Sequence, residues 1–492
     1  MERHTNTKQS KILDLCNNKT ILISKIMNKE QIKNLLDSQR KYFLSGATLD
    51  VDFRLAQLEK LKANFVKYEP KILEAVKIDM GRNDMETYLI ELGWVMDELN
   101  NTIENLKDWA KDQHVKTPAN FGRNESVIKP EPLGMVFILS AWNFAHWQIF
   151  GPLLGAIAAG NTAVVKPSSD SPACGEVINE IIENTFSPNY VKCLLGDVDM
   201  VNRVLEERFD LLFFTGSPRV GKIIQAAAAK HLTPTILELG GKCPAIVDET
   251  ADVEQAAKSI VRAKLFNTGQ ICVSVDHVYV HSSIKEKFIE FSKKYMVEFY
   301  GEDASKSEDY GFIINERNFE RLVGLIDENT NGTMVFGGKS NAEKRYISPT
   351  ILDNVTENAP IMQEEIFGPI MPVLTFESVE ELVALQKTKE KPLALYFFSK
   401  DKKRQDLVLT HTSAGGVTIN DCMIHAASKY LPFGGVGNSG MGNYVGAASF
   451  KTFTHYKPIM IANKSESADD SLNFPPYAGK LEKLRAIIEN AE

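Results

Sequence analysis

The sequence predicts an α/β protein organised around a doubly wound parallel sheet. Short apolar runs over 135–139, 162–165, 191–195, 211–214 and 236–239 alternate with helical spacing over 148–159, 173–182, 200–206 and 220–229. Parallel strands need long crossovers, and the intervening helices supply them. From 240 to 438 the alternation repeats, for example over 277–281, 316–327 and 393–398, which predicts a second α/β domain. A chain of 492 residues is also too long for one hydrophobic core, so two or three domains are expected.

Composition narrows the class. Apolar residues make up 43% and charged residues 24%, ordinary values for a soluble globular protein. A net charge of −8 argues against nucleic-acid or anionic-membrane partners. Cys16, Cys174, Cys193, Cys243, Cys272 and Cys422 form no C-x-x-C pair and no Cys/His cluster. Neither a metal site nor a disulfide framework is therefore expected, and the cytoplasm is the expected compartment. No apolar run reaches the length of a membrane span.

In chain order, residues 1–26 are polar and basic, with no signal-peptide cleavage pattern. They read as an N-terminal extension, with Met27 the expected natural start. From about 29 to 111 the spacing is helical; Phe53, Leu55, Leu58, Leu61 and Phe65 mark one apolar face. Residues 114–132 are polar, with Pro118 and Gly122, and read as a loop or exposed ribbon. An exposed ribbon needs its edge covered, so 114–132 and 439–464 are assigned to a subunit-contact arm. The first α/β domain then comprises 27–113 with 133–239, and the second comprises 240–438. The tail, 465–492, is polar, turns proline-rich at Pro475-Pro476 and ends in a helix-like segment. It carries no hydrophobic anchor and no lipidation motif.

Two motifs carry chemistry. Thr215-Gly216-Ser217-Pro218-Arg219-Val220-Gly221-Lys222 has the spacing of a P-loop, but Ile223 stands where a magnesium-binding Ser or Thr belongs. What remains is a glycine turn before a helix N-terminus, a seat for a pyrophosphate. The second motif spans 235–273. An apolar run carrying Glu238 breaks at Gly240-Gly241, an amphipathic helix follows, Gly269 is expected to stop it, and Cys272 comes next. A thiol and a carboxylate are thus expected on loops at the ends of adjacent elements, as nucleophile and water-activating base.

Several separated stretches together resemble the aldehyde dehydrogenases, most closely the class 3 branch that oxidises fatty and aromatic aldehydes. They are Glu131-Pro132-Leu133-Gly134, Ala141-Trp142-Asn143-Phe144, Gly155-Ala156-Ile157-Ala158-Ala159-Gly160-Asn161, Val165-Lys166-Pro167-Ser168 and Phe214-Thr215-Gly216-Ser217. The series continues with Leu237-Glu238-Leu239-Gly240-Gly241-Lys242, Gly269-Gln270-Ile271-Cys272, Gln363-Glu364-Glu365-Ile366-Phe367-Gly368-Pro369 and the glycine-rich stretch 431–442. The order is the family's, and the likeness runs from about 30 to 476.

The resemblance implies a Rossmann-like NAD(P)-binding domain, a catalytic domain and a small oligomerisation arm. It implies a homodimer acting on a small-molecule aldehyde with NAD, NADP or both. Cys272 would attack the aldehyde. The amide of Asn143 and the backbone N–H of Cys272 would hold the oxyanion, and Glu238 would activate the hydrolytic water. Lys166, Ser169, Gly216, Ser217, Gly221, Glu365 and Phe367 would line the cofactor site. Phe144, His146 and His425 are candidates for the substrate channel.

Two departures from the family pattern matter. Many members carry Glu two residues after Lys-Pro, where this chain has Ser169. Losing that charge removes the repulsion of a 2′-phosphate and should let NADP bind. The family often follows Trp-Asn with an aromatic residue and Pro; here the run is Phe144-Ala145-His146-Trp147. A coenzyme A-acylating enzyme is the alternative reading, but it does not need the base Glu238. A non-catalytic descendant would not need to keep both Cys272 and Glu238.

Overall fold

The computed structural model describes residues 27–118, 124–327, 332–462, 472 and 474–489. The extension 1–26, with Cys16, lies outside them. The N-terminal region is helical, as its spacing predicts. Lys29–Leu44 begins at a capping box on Asn28, and Val51–Met80 ends at Gly81 in the left-handed conformation. Val51–Met80 packs its apolar face, including Leu58, Leu61, Phe65 and Ile72, against Pro172–Thr185. Before the helix Trp94–Trp109 the chain widens into a π-helical stretch, Tyr88–Gly93, that buries the Glu91 carboxylate.

The first sheet runs in the order Gly440–Met441, Thr235–Leu239, Leu211–Gly216, Met135–Leu139, Thr162–Lys166, Val191–Cys193. Its last five strands are parallel, with registers such as Phe137↔Val164, Ile138↔Phe213 and Phe214↔Leu237. These are the five apolar runs read from the sequence. The helix Ala145–Ala159, between two of them, is buried at every residue. The edge strand was not anticipated. Gly440 and Met441, read as part of the arm, pair antiparallel with Glu238 and Leu237. Gly440 sits at φ 148°, and a Cβ there would collide with the Leu237 carbonyl.

The second sheet runs Thr333–Phe336, Thr350–Asp353, Ile370–Phe376, His277–His281, Pro244–Val247, Ala394–Phe398, Gly416–Ile419. All neighbours are parallel except the first pair. A third, antiparallel sheet joins Gln113–Val115, Glu125–Pro132 and Thr454–Ile461. It is the ribbon anticipated for 114–132, with its C-terminal partner; residues 119–123 lie outside the described residues. The tail helix Leu481–Glu489 is present and buries none of its residues. No helix of the described residues is long and apolar enough to cross a membrane.

Within 235–273 the structure corrects two expectations. Glu238 lies inside the strand Thr235–Leu239, not on the loop beyond it. Gly269 does not stop the helix. Val253–Leu265 ends four residues earlier, and Phe266–Gly269 forms a 3₁₀ turn with Asn267 and Thr268 at φ 49° and 54°. Polar contacts hold this costly backbone: the Asn267 N–H donates to Glu86 Oε2 at 3.1 Å, and its side-chain amide donates to the Gln270 carbonyl at 3.1 Å.

Candidate active site

Cys272 follows this turn and is partly buried. Glu238 is 3% exposed, and neither of its carboxylate oxygens has a hydrogen-bond partner among the described residues. Burial raises its pKa well above the ordinary carboxylate range. Burial also pushes the Cys272 thiol up to about 12, helped by the charges of Glu365 and Glu238. Both carboxylates act on the thiol, so the three groups share one neighbourhood.

Asn143 lies between the strand Met135–Leu139 and the helix Ala145–Ala159, and is 2% exposed. Its side-chain nitrogen donates to the Gln270 carbonyl at 3.1 Å, two residues before the thiol. Its side-chain oxygen accepts from Gln148 Nε2 at 2.9 Å. Its main-chain carbonyl accepts from Arg82 Nη1 at 2.9 Å. Arg82 pairs with Glu91, and both are fully buried. Glu91 Oε2 accepts the backbone N–H groups of His146 and Trp147 at 2.9 and 3.2 Å. Burial raises the Glu91 pKa, but the Arg82 charge and His146 outweigh it and bring the carboxyl down to about 2. Gln270 staples the thiol loop from behind: its amide donates to Phe312 O at 3.1 Å and accepts from Ile314 N at 3.0 Å.

The three candidate substrate residues fall in different places. Phe144 is buried, edge-on to Trp94 at 6.3 Å, with the Arg82 guanidinium over its ring. His146 is fully buried; its Nδ1 lies 3.6 Å from Glu91 Oε2, so its side chain belongs to the support under Asn143. His425 Nδ1 shares a hydrogen bond with Thr418 Oγ1 at 2.8 Å, and burial lowers its pKa to about 4, leaving a neutral ring. Its ring neighbours Tyr396, whose hydroxyl donates to the Val273 carbonyl next to the thiol.

The cofactor candidates gather at the carboxyl ends of the first sheet, where such sheets bind ligands. Lys166 ends the strand Thr162–Lys166. Its ammonium donates to the Pro167 carbonyl at 2.7 Å and makes no ion pair among the described residues, and burial lowers its pKa to about 8. Ser169 is exposed. Gly216 closes its strand, and Ser217 caps the helix Pro218–Ala229 by accepting from Val220 N. A Cβ on Gly221 would come within 2.7 Å of Leu239 Cδ2, so the absent side chain lets this helix seat close to the sheet. The Glu365 carboxyl packs over Gly240, where a Cβ would strike it. Burial and then Asp276 raise its pKa to about 8, while the Gly241 N–H donates to it. Phe367 holds φ 51° and meets Trp142, the neighbour of Asn143, edge-on at 5.5 Å. Among the described residues, a buried ammonium without an ion pair, a helix N-terminus and a buried carboxyl without a salt bridge fit a dinucleotide with its phosphates and ribose hydroxyls.

A doubly wound sheet with such an edge, joined to a second α/β sheet that carries the thiol loop, defines an NAD(P)-dependent oxidoreductase. The aldehyde dehydrogenase family matches residues 3–459, and the chain belongs to that family. It is 43% identical over 451 residues to the 4,4'-diaponeurosporen-aldehyde dehydrogenase of Staphylococcus aureus, covering 92% of this chain and 98% of that one. It is 41% identical over 450 residues to the dimeric NADP-preferring aldehyde dehydrogenase of Rattus norvegicus, covering 92% and 99%. A solved structure titled as the substrate-bound state of Staphylococcus aureus AldH superposes with a TM-score of 0.91 at 42% identity, covering 94% and 100%. The chain is an enzyme that oxidises aldehydes with NAD or NADP, and its likeness to class 3 relatives agrees with the reading from sequence.

Arg82, Glu91, Gln148 and Gln270 did not stand out in the sequence. Gln270 sits inside the Gly269–Cys272 motif, and that position was its only signal. Of the others, Arg82 lies in a short polar stretch after Gly81, and Glu91 and Gln148 are single polar residues in apolar stretches, with no motif around them.

Proposed function

We propose that the enzyme oxidises apolar aldehydes, aliphatic or aromatic, to free carboxylic acids by covalent catalysis at Cys272. The observation that carries this is the buried Glu238 carboxyl, without a hydrogen-bond partner among the described residues, in the same neighbourhood as the Cys272 thiol. A thiol pushed up to about 12 is protonated at neutral pH and needs a nearby acceptor for its proton. The thiolate attacks the carbonyl carbon, and the Asn143 side-chain N–H and the Cys272 backbone N–H hold the resulting oxyanion. When bound, NAD or NADP supplies the hydride acceptor that turns the thiohemiacetal into a thioester. Glu238 then takes a proton from the water that attacks the thioester carbon; the C–S bond breaks, the Cys272 thiolate is regenerated and the acid leaves.

An apolar substrate is supported by the aromatic group behind Asn143, where Trp94 meets Phe144 and Trp147, and Trp147 meets Tyr444. It also agrees with the polyene aldehyde named for the Staphylococcus aureus relative. We assign cofactor binding to 27–113 and 133–239 and catalysis to 240–438. We assign homodimer contact to the three-stranded ribbon, in keeping with the relative named as dimeric. Residues 440–441 belong with the first sheet instead. Cys272 works only as a free thiol, and we take the reducing cytoplasm as its compartment.

The test is reduction of NAD and of NADP with hexanal, decanal and benzaldehyde, for the wild type and Cys272→Ser. The wild type turns over, and the variant loses at least ~10³-fold in kcat. A variant that keeps its activity rules out the Cys272 route. Product analysis with coenzyme A present separates the alternative: free acid supports a hydrolytic Glu238, and acyl-CoA displaces that role.

A further inference from the structure

We propose that Gln148 is a positioning residue that fixes which way the Asn143 side-chain amide faces. The inference rests on the reading of Asn143 as the oxyanion donor. The Gln270 carbonyl can only accept, so Asn143 must turn its nitrogen towards it. That leaves Asn143 Oδ1 facing Gln148, and Gln148 meets it with Nε2 at 2.9 Å. One N–H of Asn143 is thereby taken by Gln270, and among the described residues no protein acceptor takes the other. The main chain of Asn143 is held separately, by Arg82. Gln148 therefore acts only on the final side-chain torsion, which it and the Gln270 carbonyl hold from opposite ends of the amide.

The other end of Gln148 supports a dedicated role. Gln148 is 4% exposed, and its Oε1 is buried without a hydrogen-bond partner among the described residues. A buried amide kept for packing would have both ends paired. Here one end is left unpaired while the other holds the Asn143 oxygen. Without the Nε2 donor, Asn143 Oδ1 loses its partner and the amide is held at one end only, by the Gln270 carbonyl, so its free N–H is no longer held on the developing negative charge.

The test compares wild type, Gln148→Met and Gln148→Glu, each with Asn143 intact and with Asn143→Ala. The readouts are single-turnover NAD(P)H formation, cofactor KM and Tm. With Asn143 intact, Gln148→Met slows hydride transfer by about ten-fold or more and changes cofactor KM by less than about twofold. In the Asn143→Ala background the same change costs less than about twofold. Gln148→Glu keeps the size of the side chain. Its neutral carboxyl donates to Asn143 Oδ1 and restores the rate at low pH, whereas its ionised form repels that oxygen. Its rate therefore falls as pH rises, along a limb absent from Gln148→Met, and this reading stands even if Gln148→Met fails to fold. Equal losses in both Asn143 backgrounds, or a Gln148→Glu profile parallel to wild type, overturn the inference. An Asn143→Ala variant as fast as wild type overturns the oxyanion reading beneath it.

Discussion

Among the described residues Glu238 has no hydrogen-bond partner for either oxygen, and that shapes what it can do. A carboxyl held by an ion pair would be ionised and inert across the working range; this one is raised by burial. A base must be ionised to act, so its raised pKa moves the onset of deacylation upward from the usual carboxylate range. Stopped-flow traces of Glu238→Gln should show one NAD(P)H per site followed by slow turnover, without the rising pH limb of the wild type. At the cofactor edge, Ser169 is exposed and uncharged. Ser169→Glu should lower kcat/KM with NADP by at least ~10-fold and leave NAD within about threefold, because only NADP carries the 2′-phosphate. Cys272 and Glu238 were legible because each stands in a short motif next to glycine, Gly269 before the thiol and Gly240-Gly241 after the carboxylate. Arg82 and Glu91 were not. Arg82 lies in a short polar stretch after Gly81 and Glu91 stands alone in an apolar run, and only folding brings their pair under the Asn143 carbonyl.

The helix Pro218–Ala229 depends on the bare Cα of Gly221 to seat against Leu239. Gly221→Val should push the helix off the sheet, cost about 1–3 kcal/mol in denaturant unfolding and weaken NAD(P)H binding several-fold in fluorescence titrations. A variant with unchanged cofactor affinity would separate this helix from the cofactor. The five parallel strands of the first sheet were readable because strands covered on both faces are continuous apolar runs bounded by turns. Pro244–Val247 escaped notice because it has four residues, starts with Pro and follows directly on Gly-Gly-Lys-Cys. Gly440–Met441 has no apolar pattern at all; only its partner strand makes it a strand. The end of Val253–Leu265 was misread because Gly269 is a strong stop signal in sequence. The chain turns earlier, held by side-chain contacts from Asn267.

In the molecule as a whole, Glu125–Pro132 is flanked on both sides, while Gln113–Val115 and Thr454–Ile461 form the edges of their sheet. Such edges pair readily with another copy. Light scattering should give twice the 55.0 kDa of the chain, and deleting 454–461 should give a single-chain mass. A monomeric wild type would remove the assignment of this sheet to dimer contact.

The antiparallel bridge from Gly440 to Glu238 also has a consequence for synthesis. The base and the segment that closes its strand edge are 440 − 238 = 202 residues apart. Chains emerge from the ribosome N-terminus first, and distant pairings form late. The nascent first sheet therefore waits, its edge open beside the base, until every strand of the second sheet has been made. A ribosome stalled before residue 440 should hold a chain with five strands in place and no turnover. The step that completes the catalytic sheet is then the arrival of a two-residue strand made long after the base it lies beside.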